Sequence, residues 1–251
     1  MIDIVIPTYG QENFTAKCVE SIRRFTSCPY RIVWVDNGSS AISREVVLKS
    51  LEGCDYLSIW IQHNLGFVKA VNAGLKECHG EYIVLQNNDT EVTKGWIERL
   101  LKPHSDPTVG ATGPMTDTEG SWQGWLNVKT KLYPQLPNVS SLPKDQISDE
   151  VFKAMGDTAR SMNMVAFFST VFKKEVFDKV GLLDEQFGTG LGDDDDYSKR
   201  MIDAGYKVMF VPGAFVHHHH RTTFKSVYND SEIADMQRVN LSKFKTKHGL
   251  K

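Results

Sequence analysis

The first hundred residues alternate between short apolar runs and segments of helical period. Residues 2–6, 31–35, 56–61 and 81–85 are rich in β-branched and aromatic side chains, which predicts strands. Between them Phe14, Cys18, Ile22 and Phe25 form one apolar stripe, and Phe67, Ala70, Val71, Leu75 and Cys78 form another. Strands alternating with helices predict βαβ units, with right-handed crossovers and a mostly parallel central sheet flanked by helices. Each predicted strand runs into polar residues: Pro7-Thr8-Tyr9-Gly10, Asp36-Asn37-Gly38-Ser39-Ser40, Gln62-His63-Asn64 and Gln86-Asn87-Asn88-Asp89. Loops after strands are polar in general. Four such clusters meeting at the carboxyl edge of one parallel sheet point further, to the edge where open α/β sheets bind ligands.

The rhythm breaks after residue 102. Residues 103–160 are rich in Pro, Gly, Ser and Thr and read as a long irregular segment, the kind that forms lids and binding loops. Within it Trp122 and Trp125 suit stacking on a ligand or, equally, anchoring the loop. Regular structure resumes with an apolar run from Met164 to Phe172 and a helix over 173–180. A further helix is opened by an acidic stretch and carries Tyr197 and Met201, and a strand follows over 207–211. A last helix fits 231–245, with Ile233, Met236, Asn240, Leu241 and Phe244 on one side. Its lysines Lys243, Lys245 and Lys247 suit a helix C-terminus through the macrodipole, or alternatively an anionic membrane surface.

Composition narrows the class. The 251 residues carry 31 acidic against 29 basic side chains, a formal net charge of −2, which is a poor footprint for a nucleic-acid binder. The chain opens directly on a strand pattern with no secretory signal, and no apolar run reaches the length of a membrane span. Four cysteines without a C-x-x-C pair are expected to be reduced thiols in a cytoplasmic protein.

Three constellations carry candidate chemistry. Asn87-Asn88-Asp89 places a carboxylate at a strand end, suited either to a hard cation that also touches phosphate oxygens or to a plain turn. Gly192-Asp193-Asp194-Asp195-Asp196 lines four carboxylates at a helix start. There they either complement the helix dipole or supply a general base whose pKa a neighbouring carboxylate tunes. His217, His218, His219 and His220 follow a strand, and strand alternation lets only every other one face a common metal.

Taken in order, these segments resemble the inverting glycosyltransferases of family 2, closest to the rhamnosyltransferase-like branch. The resemblance rests on Ile4-Val5-Ile6-Pro7-Thr8-Tyr9, Val33-Trp34-Val35-Asp36-Asn37-Gly38-Ser39, Asn64-Leu65-Gly66-Phe67 and Asn72-Ala73-Gly74. It continues through Leu85-Gln86-Asn87-Asn88-Asp89-Thr90-Glu91, Val180-Gly181-Leu182-Leu183-Asp184-Glu185-Gln186-Phe187 and the acidic run, and ends on Val211-Pro212-Gly213-Ala214, covering about residues 1–220.

The resemblance implies a GT-A fold in a single domain: residues 1–102 the nucleotide-sugar half, 103–220 the acceptor half and 221–251 a helical tail. It implies that Pro7, Thr8 and Tyr9 line a nucleoside pocket, with Asp36 accepting from the base. Asn64, Lys69 and Asn72 would form the wall beyond the third strand, with Lys69 toward phosphate. Asn87-Asn88-Asp89 occupies the family's D-x-D position with only its last carboxylate kept. Asp89 would then hold Mn²⁺ or Mg²⁺, and Asn87 and Asn88 would lie against the donor. His218 best matches the family's metal-binding histidine, with His220 the runner-up. Asp194 matches the general base and Asp193 is the second choice. The implied donor is a UDP- or dTDP-sugar, and the implied acceptor a hydroxyl on a glycan, glycolipid or glycoprotein. The reduced D-x-D motif also admits a binding or scaffolding subunit without turnover, and the sheet pattern admits a nucleotidyltransferase.

Overall fold

The alternation of the first hundred residues becomes β1 (Ile2–Thr8), α1 (Glu12–Phe25), β2 (Tyr30–Asn37), α2 (Ala41–Leu51), β3 (Tyr56–Ile61), α3 (Phe67–Leu75) and β4 (Tyr82–Gln86). The structure is a computed structural model and describes residues 1–118, 121–219 and 227–250. All of β1 and the last six residues of β2 are buried, which is why both read as unbroken apolar runs rather than alternating ones. Strand alternation still sorts their side chains. Ile4 and Ile6 join Cys18 and Ile22 of α1 in one core, whereas Val5 joins Val68, Val71 and Leu75 of α3 in the other.

The remaining elements are β5 (Thr90–Val92), α4 (Trp96–Leu101), β6 (Val109–Thr116), α5 (Trp125–Lys131), α6 (Ile147–Met155), β7 (Arg160–Met162), β8 (Ser169–Lys173), α7 (Lys174–Val180), α8 (Asp193–Asp203), β9 (Lys207–His218) and α9 (Asp230–Lys247). One sheet orders them β3-β2-β1-β4-β8-β6-β9-β5, with β7 also paired to β9. Strands β1 to β4 are mutually parallel, as the sequence predicts. The other half is mixed: β8 runs antiparallel to both β4 and β6, and β6 runs parallel to β9.

Two expectations are corrected here. Residues 103–160 are not an irregular insert, since they contain β6, wholly buried in the sheet, together with α5 and α6. The β6 sequence Val-Gly-Ala-Thr-Gly-Pro-Met-Thr lacks the bulky alternation that marks a strand. Its glycines answer to packing: a Cβ on Gly110 would lie 2.9 Å from Tyr206 Cβ, and one on Gly113 2.8 Å from Val165 Cβ. Likewise β9 does not stop at residue 211 but runs through Pro212 and Gly213 to His218, with a register shift against β6 between Pro114 and Met115. His217 and His218 therefore lie in the strand. The last helix begins on a capping box, in which the Asn229 side chain accepts from the Glu232 N–H and the Glu232 side chain accepts from the Asn229 N–H.

Candidate active site

The ends of β1, β2 and β4 open on one cavity of about 330 Å³. In it the structure gathers Pro7, Thr8 and Tyr9 from the end of β1, Asn64 before α3, and Asn87, Asn88 and Asp89 after β4. His218 of β9 and the pair Asp193 and Asp194 of α8 complete the wall. The register that pairs Thr8 with Asp36 brings the ends of β1 and β2 level. The Thr8 hydroxyl serves the sheet, accepting from Trp34 Nε1 at 2.8 Å.

Three predicted residues stand outside the cavity wall. Asp36 is fully buried, and its carboxylate accepts from Arg44 Nε at 2.6 Å and from the Ser39 N–H at 3.2 Å, so it shapes the loop after β2. Lys69 is exposed on α3. The Asn72 amide is spent on Leu183, donating to its carbonyl at 2.9 Å and accepting from its N–H at 3.1 Å. In place of Asp36 the neighbouring Asn37 lines the cavity. Its Nδ2 donates to Asn64 Oδ1 at 2.9 Å and its Oδ1 accepts from the Leu65 N–H at 3.0 Å. Sequence reading held Asn37 only as part of a polar cluster; the shift of face at a strand end is what singles it out.

The segment after β4 is a turn and a site at once. The Asn87 N–H donates to Phe168 O at 2.8 Å and Asn88 Nδ2 donates to Thr15 Oγ1 at 3.1 Å. The antiparallel pairing of β5 with β9 sets Thr90 opposite His218. Asp89 Oδ1 thereby comes to 3.2 Å from His218 Nε2, and the His218 ring stacks on Phe168 with centroids 5.0 Å apart. The neighbouring histidines serve other partners: His217 Nδ1 lies 2.7 Å from Asp117 Oδ2, and His219 Nε2 lies 2.8 Å from Glu91 Oε1. His220 lies outside the described residues.

The Asp89–His218 pair fits a hard divalent cation. The carboxylate and the imidazole converge to 3.2 Å on the cavity wall, a donor set that Mn²⁺ or Mg²⁺ could take. No group of three or more His, Cys, Asp or Glu converges on a metal position among the described residues. A carboxylate and an imidazole alone would make a sparse protein donor set for such an ion.

On the far wall Asp193 and Asp194 open α8 behind Gly192, at φ 123°, and Leu191, at φ 68°. A leucine in the left-handed region costs about 1–3 kcal/mol, strain of the kind stored at functional sites. Burial, followed by the mutual repulsion of neighbouring carboxylates, pushes the Asp194 carboxyl well above its ordinary range; burial first of all raises Asp193 too. Asp196, one helical turn in, is treated differently. It accepts from Arg200 Nε at 2.9 Å and pairs with Lys247 Nζ at 2.7 Å and His248 Nε2 at 2.8 Å.

The loop leading to α8 is strapped by α9. Buried Asn240 donates from Nδ2 to Gly190 O at 2.7 Å and to Phe187 O at 3.1 Å. Lys243 Nζ donates to Gln186 O at 2.7 Å, and Lys247 reaches Asp184 at 2.6 Å. On the opposite side Gly188 O accepts from the Val68 N–H at 3.0 Å, and a Cβ on Gly66 would lie 2.8 Å from that oxygen. Sequence reading places Asn240 on the packing side of the last helix and misses what it holds, because the partners are backbone carbonyls. Two of the three lysines proposed for a membrane surface are thus occupied within the molecule, while Lys245 is exposed. Neither tryptophan lines the cavity. Trp122 packs edge-on to Phe210 with centroids 5.3 Å apart, and Trp125 packs against the same core, which favours the anchoring role.

Comparison with known proteins gives a family and a fold. Residues 3–181 match the model for glycosyl transferase family 2. The glycosyltransferase GlyA of Streptococcus pneumoniae is 24% identical over 218 residues, covering 84% of this chain and 29% of that protein. The pre-mycofactocin glycosyltransferase of Mycobacterium tuberculosis is 25% identical over 230 residues, covering 89% of this chain and 44% of that protein. The chain thus spans less than half the length of these two relatives. Among solved structures, a mannosyltransferase from Pyrobaculum calidifontis in complex with GDP-Man and Mn²⁺ superposes with a TM-score of 0.65 at 17% identity, over 86% of this chain and 56% of that one. GalNAc-T7 with UDP, GalNAc and Mn²⁺ does so with a TM-score of 0.66 at 20% identity, over 87% and 43%. At such identities the likeness speaks to the fold, which is GT-A.

Proposed function

The chain belongs to glycosyl transferase family 2, and we propose that it transfers a sugar from a nucleoside diphosphate donor to a hydroxyl acceptor with inversion at the anomeric carbon. The observation that carries this reading is the placement of two unlike carboxylate groups on one cavity. Asp89 stands paired with His218 at the strand edge, and Asp193 and Asp194 line the same cavity with, among the described residues, no basic partner of the kind Asp196 has. The first pair suits a cation carrying a diphosphate; the second suits removal of a proton.

In this mechanism Pro7, Thr8, Tyr9, Asn37 and Asn64 enclose the nucleoside, and Asn87 and Asn88 border the donor. Asp89 and His218 would hold Mn²⁺ or Mg²⁺, which would offset charge on the departing diphosphate. Asp194 accepts the acceptor's hydroxyl proton. The acceptor oxygen then bonds to the anomeric carbon as the bond to the diphosphate oxygen breaks, and that oxygen keeps the electron pair. A carboxyl raised by burial is a stronger base than an exposed one, which suits the task. Asp193, also raised, adds to this effect. No described helix is long and apolar enough to cross a membrane.

Calorimetry with UDP-, dTDP- and GDP-sugars, dTDP-rhamnose included for the rhamnosyltransferase-like resemblance, tests the reading. One donor is expected to bind at least about tenfold more tightly with Mn²⁺ present, and His218→Ala is expected to abolish that gain while leaving metal-free binding in place. Metal-independent binding would remove Asp89 and His218 from the ligand set, and binding of no member of the panel would sink the donor reading.

A further inference from the structure

We propose that a second cavity, on the α9 side of Asp194, is the acceptor subsite, and that it selects a neutral glycoside carrying an apolar aglycone. The inference rests on the glycosyltransferase reading of the Asp194 site and adds to it the chemistry of the acceptor.

This cavity of about 310 Å³ lies between the residues that open α8 and one face of α9. Its volume sits at the lower end of small-molecule sites, roughly 300–1,000 Å³. Leu191 and Asp194 line both this cavity and the donor cavity, so the two spaces adjoin at the start of α8. A hydroxyl entering from the α9 side meets Asp194 before it meets the donor, which is the order that proton removal and attack require.

The wall opposite Asp194 consists of Gln237, Leu241 and Phe244, at positions i, i+4 and i+7 of one helical face. Leu241 is 53% exposed there, although α9 buries Ile233 and Asn240 elsewhere. An apolar pair beside a single amide suits the C–H face of a sugar and an attached alkyl or aryl group. Asp195 and Gln237 offer partners to the remaining hydroxyls.

Charge sets the other half of the selectivity. The cavity is lined by two carboxylates, Asp194 and Asp195, and its described lining residues include no Lys, Arg or His. An acceptor with a carboxylate or phosphate at the reacting sugar would place like charges together in a partly desolvated space. A neutral sugar avoids this cost.

The test uses the full chain with Mn²⁺ and a nucleotide-sugar that it hydrolyses. Acceptors are octyl and p-nitrophenyl β-glycosides of neutral hexoses, with the matching free hexoses and p-nitrophenyl glucuronide as contrasts. Transfer is expected to favour the neutral alkyl or aryl glycosides. Leu241→Glu is expected to raise the acceptor KM by at least about tenfold, with the nucleotide Kd unchanged, and Gln237→Ala to raise it less. Leu241 and Gln237 are exposed on the helix, so neither change disturbs the core. An unchanged acceptor KM in Leu241→Glu would overturn the proposal. So would equal use of free hexose or glucuronide, or failure of every neutral glycoside to accept from a donor that is hydrolysed. Failure of the underlying reading looks different: no nucleotide-sugar is bound or hydrolysed, or Asp194→Asn turns over at the full rate.

Discussion

The wall of the donor cavity contributed by β1, β2 and β4 owes its geometry to strand register, whereas the wall contributed by residues 184–196 is held by side chains from a distant helix. On the first wall, parallel pairing sets Thr8 level with Asp36, and the residues beyond them follow. On the second, Asn240, Lys243 and Lys247 of α9 grip carbonyls and carboxylates of the approach to α8. The contrast continues in the carboxylates. Asp36 and Asp196 are fully buried and each has an arginine, Arg44 and Arg200 respectively. Asp193 and Asp194 have no such partner among the described residues, and their carboxyls are pushed up. Asp36 and Asp196, which shape the fold, are held by arginines, whereas burial raises Asp193 and Asp194 on the cavity wall, the setting in which a carboxylate can serve as a base.

The largest expected effect separates the two walls. Asp194→Asn keeps the size and polarity of the side chain but removes the proposed base, so turnover is expected to fall about 10²–10⁴-fold with the nucleotide Kd unchanged in calorimetry. A matching loss of nucleotide binding would show that the walls do not work independently. In the unmodified protein the acid limb of kcat/KM is expected to rise with pH through an apparent pKa above that of a free aspartate, about 3.9. That value belongs to Asp193 and Asp194 jointly, since the two neighbours titrate together.

A smaller effect sharpens the role of the helical strap. Asn240→Ala leaves two carbonyls without their donor, a loss of about 1–3 kcal/mol. Turnover is expected to drop while nucleotide binding holds, because the loop it pins carries Asp193 and Asp194. If stability falls and the kinetic constants do not, Asn240 only packs the helix.

The smallest effect is a gain. Burial holds the Asp193 carboxyl above its ordinary range, so the folded protein binds that proton more tightly than the unfolded chain does. The resulting stability is fully present below the unfolded pKa and is lost as pH rises through the folded one. Asp193→Asn removes the buried charge and is expected to raise Tm by about 2–4 °C at pH 7.5 in metal-free protein, with no gain near pH 3. A lower Tm at pH 7.5 would mean that the carboxylate is stabilised by its surroundings.

Much of this was legible before any coordinates. The β-branched runs and the two helical stripes locate β1 to β4, α1 and α3, because a buried parallel sheet and an amphipathic helix each impose a period on the chain. The sequence leaves open which of the four histidines faces the site, and His218, the last residue of β9, is the described histidine that lines the cavity. What escaped is equally specific. β6 hides behind glycines and a proline that fit against Tyr206 and Val165. Asp36 and Asn72 match family positions, yet their polar atoms are taken by Arg44 and Leu183. A motif records which residue is present and says nothing of which neighbour reaches it first.

From the sequence alone came the alternation of elements, the carboxyl edge on which polar residues collect, and a shortlist of acids and histidines, all of them consequences of local period and composition. The tertiary structure decided the rest: which aspartates of the acidic run face the cavity, which histidine stands beside Asp89, and that α9 both straps the loop before α8 and walls a second cavity. These depend on pairings between residues fifty or more positions apart, such as Asn240 with Gly190 and Asp89 with His218. Burial and charge pairing arise only when such distant segments close on one another, and that is where a carboxylate becomes either an anchor or a base.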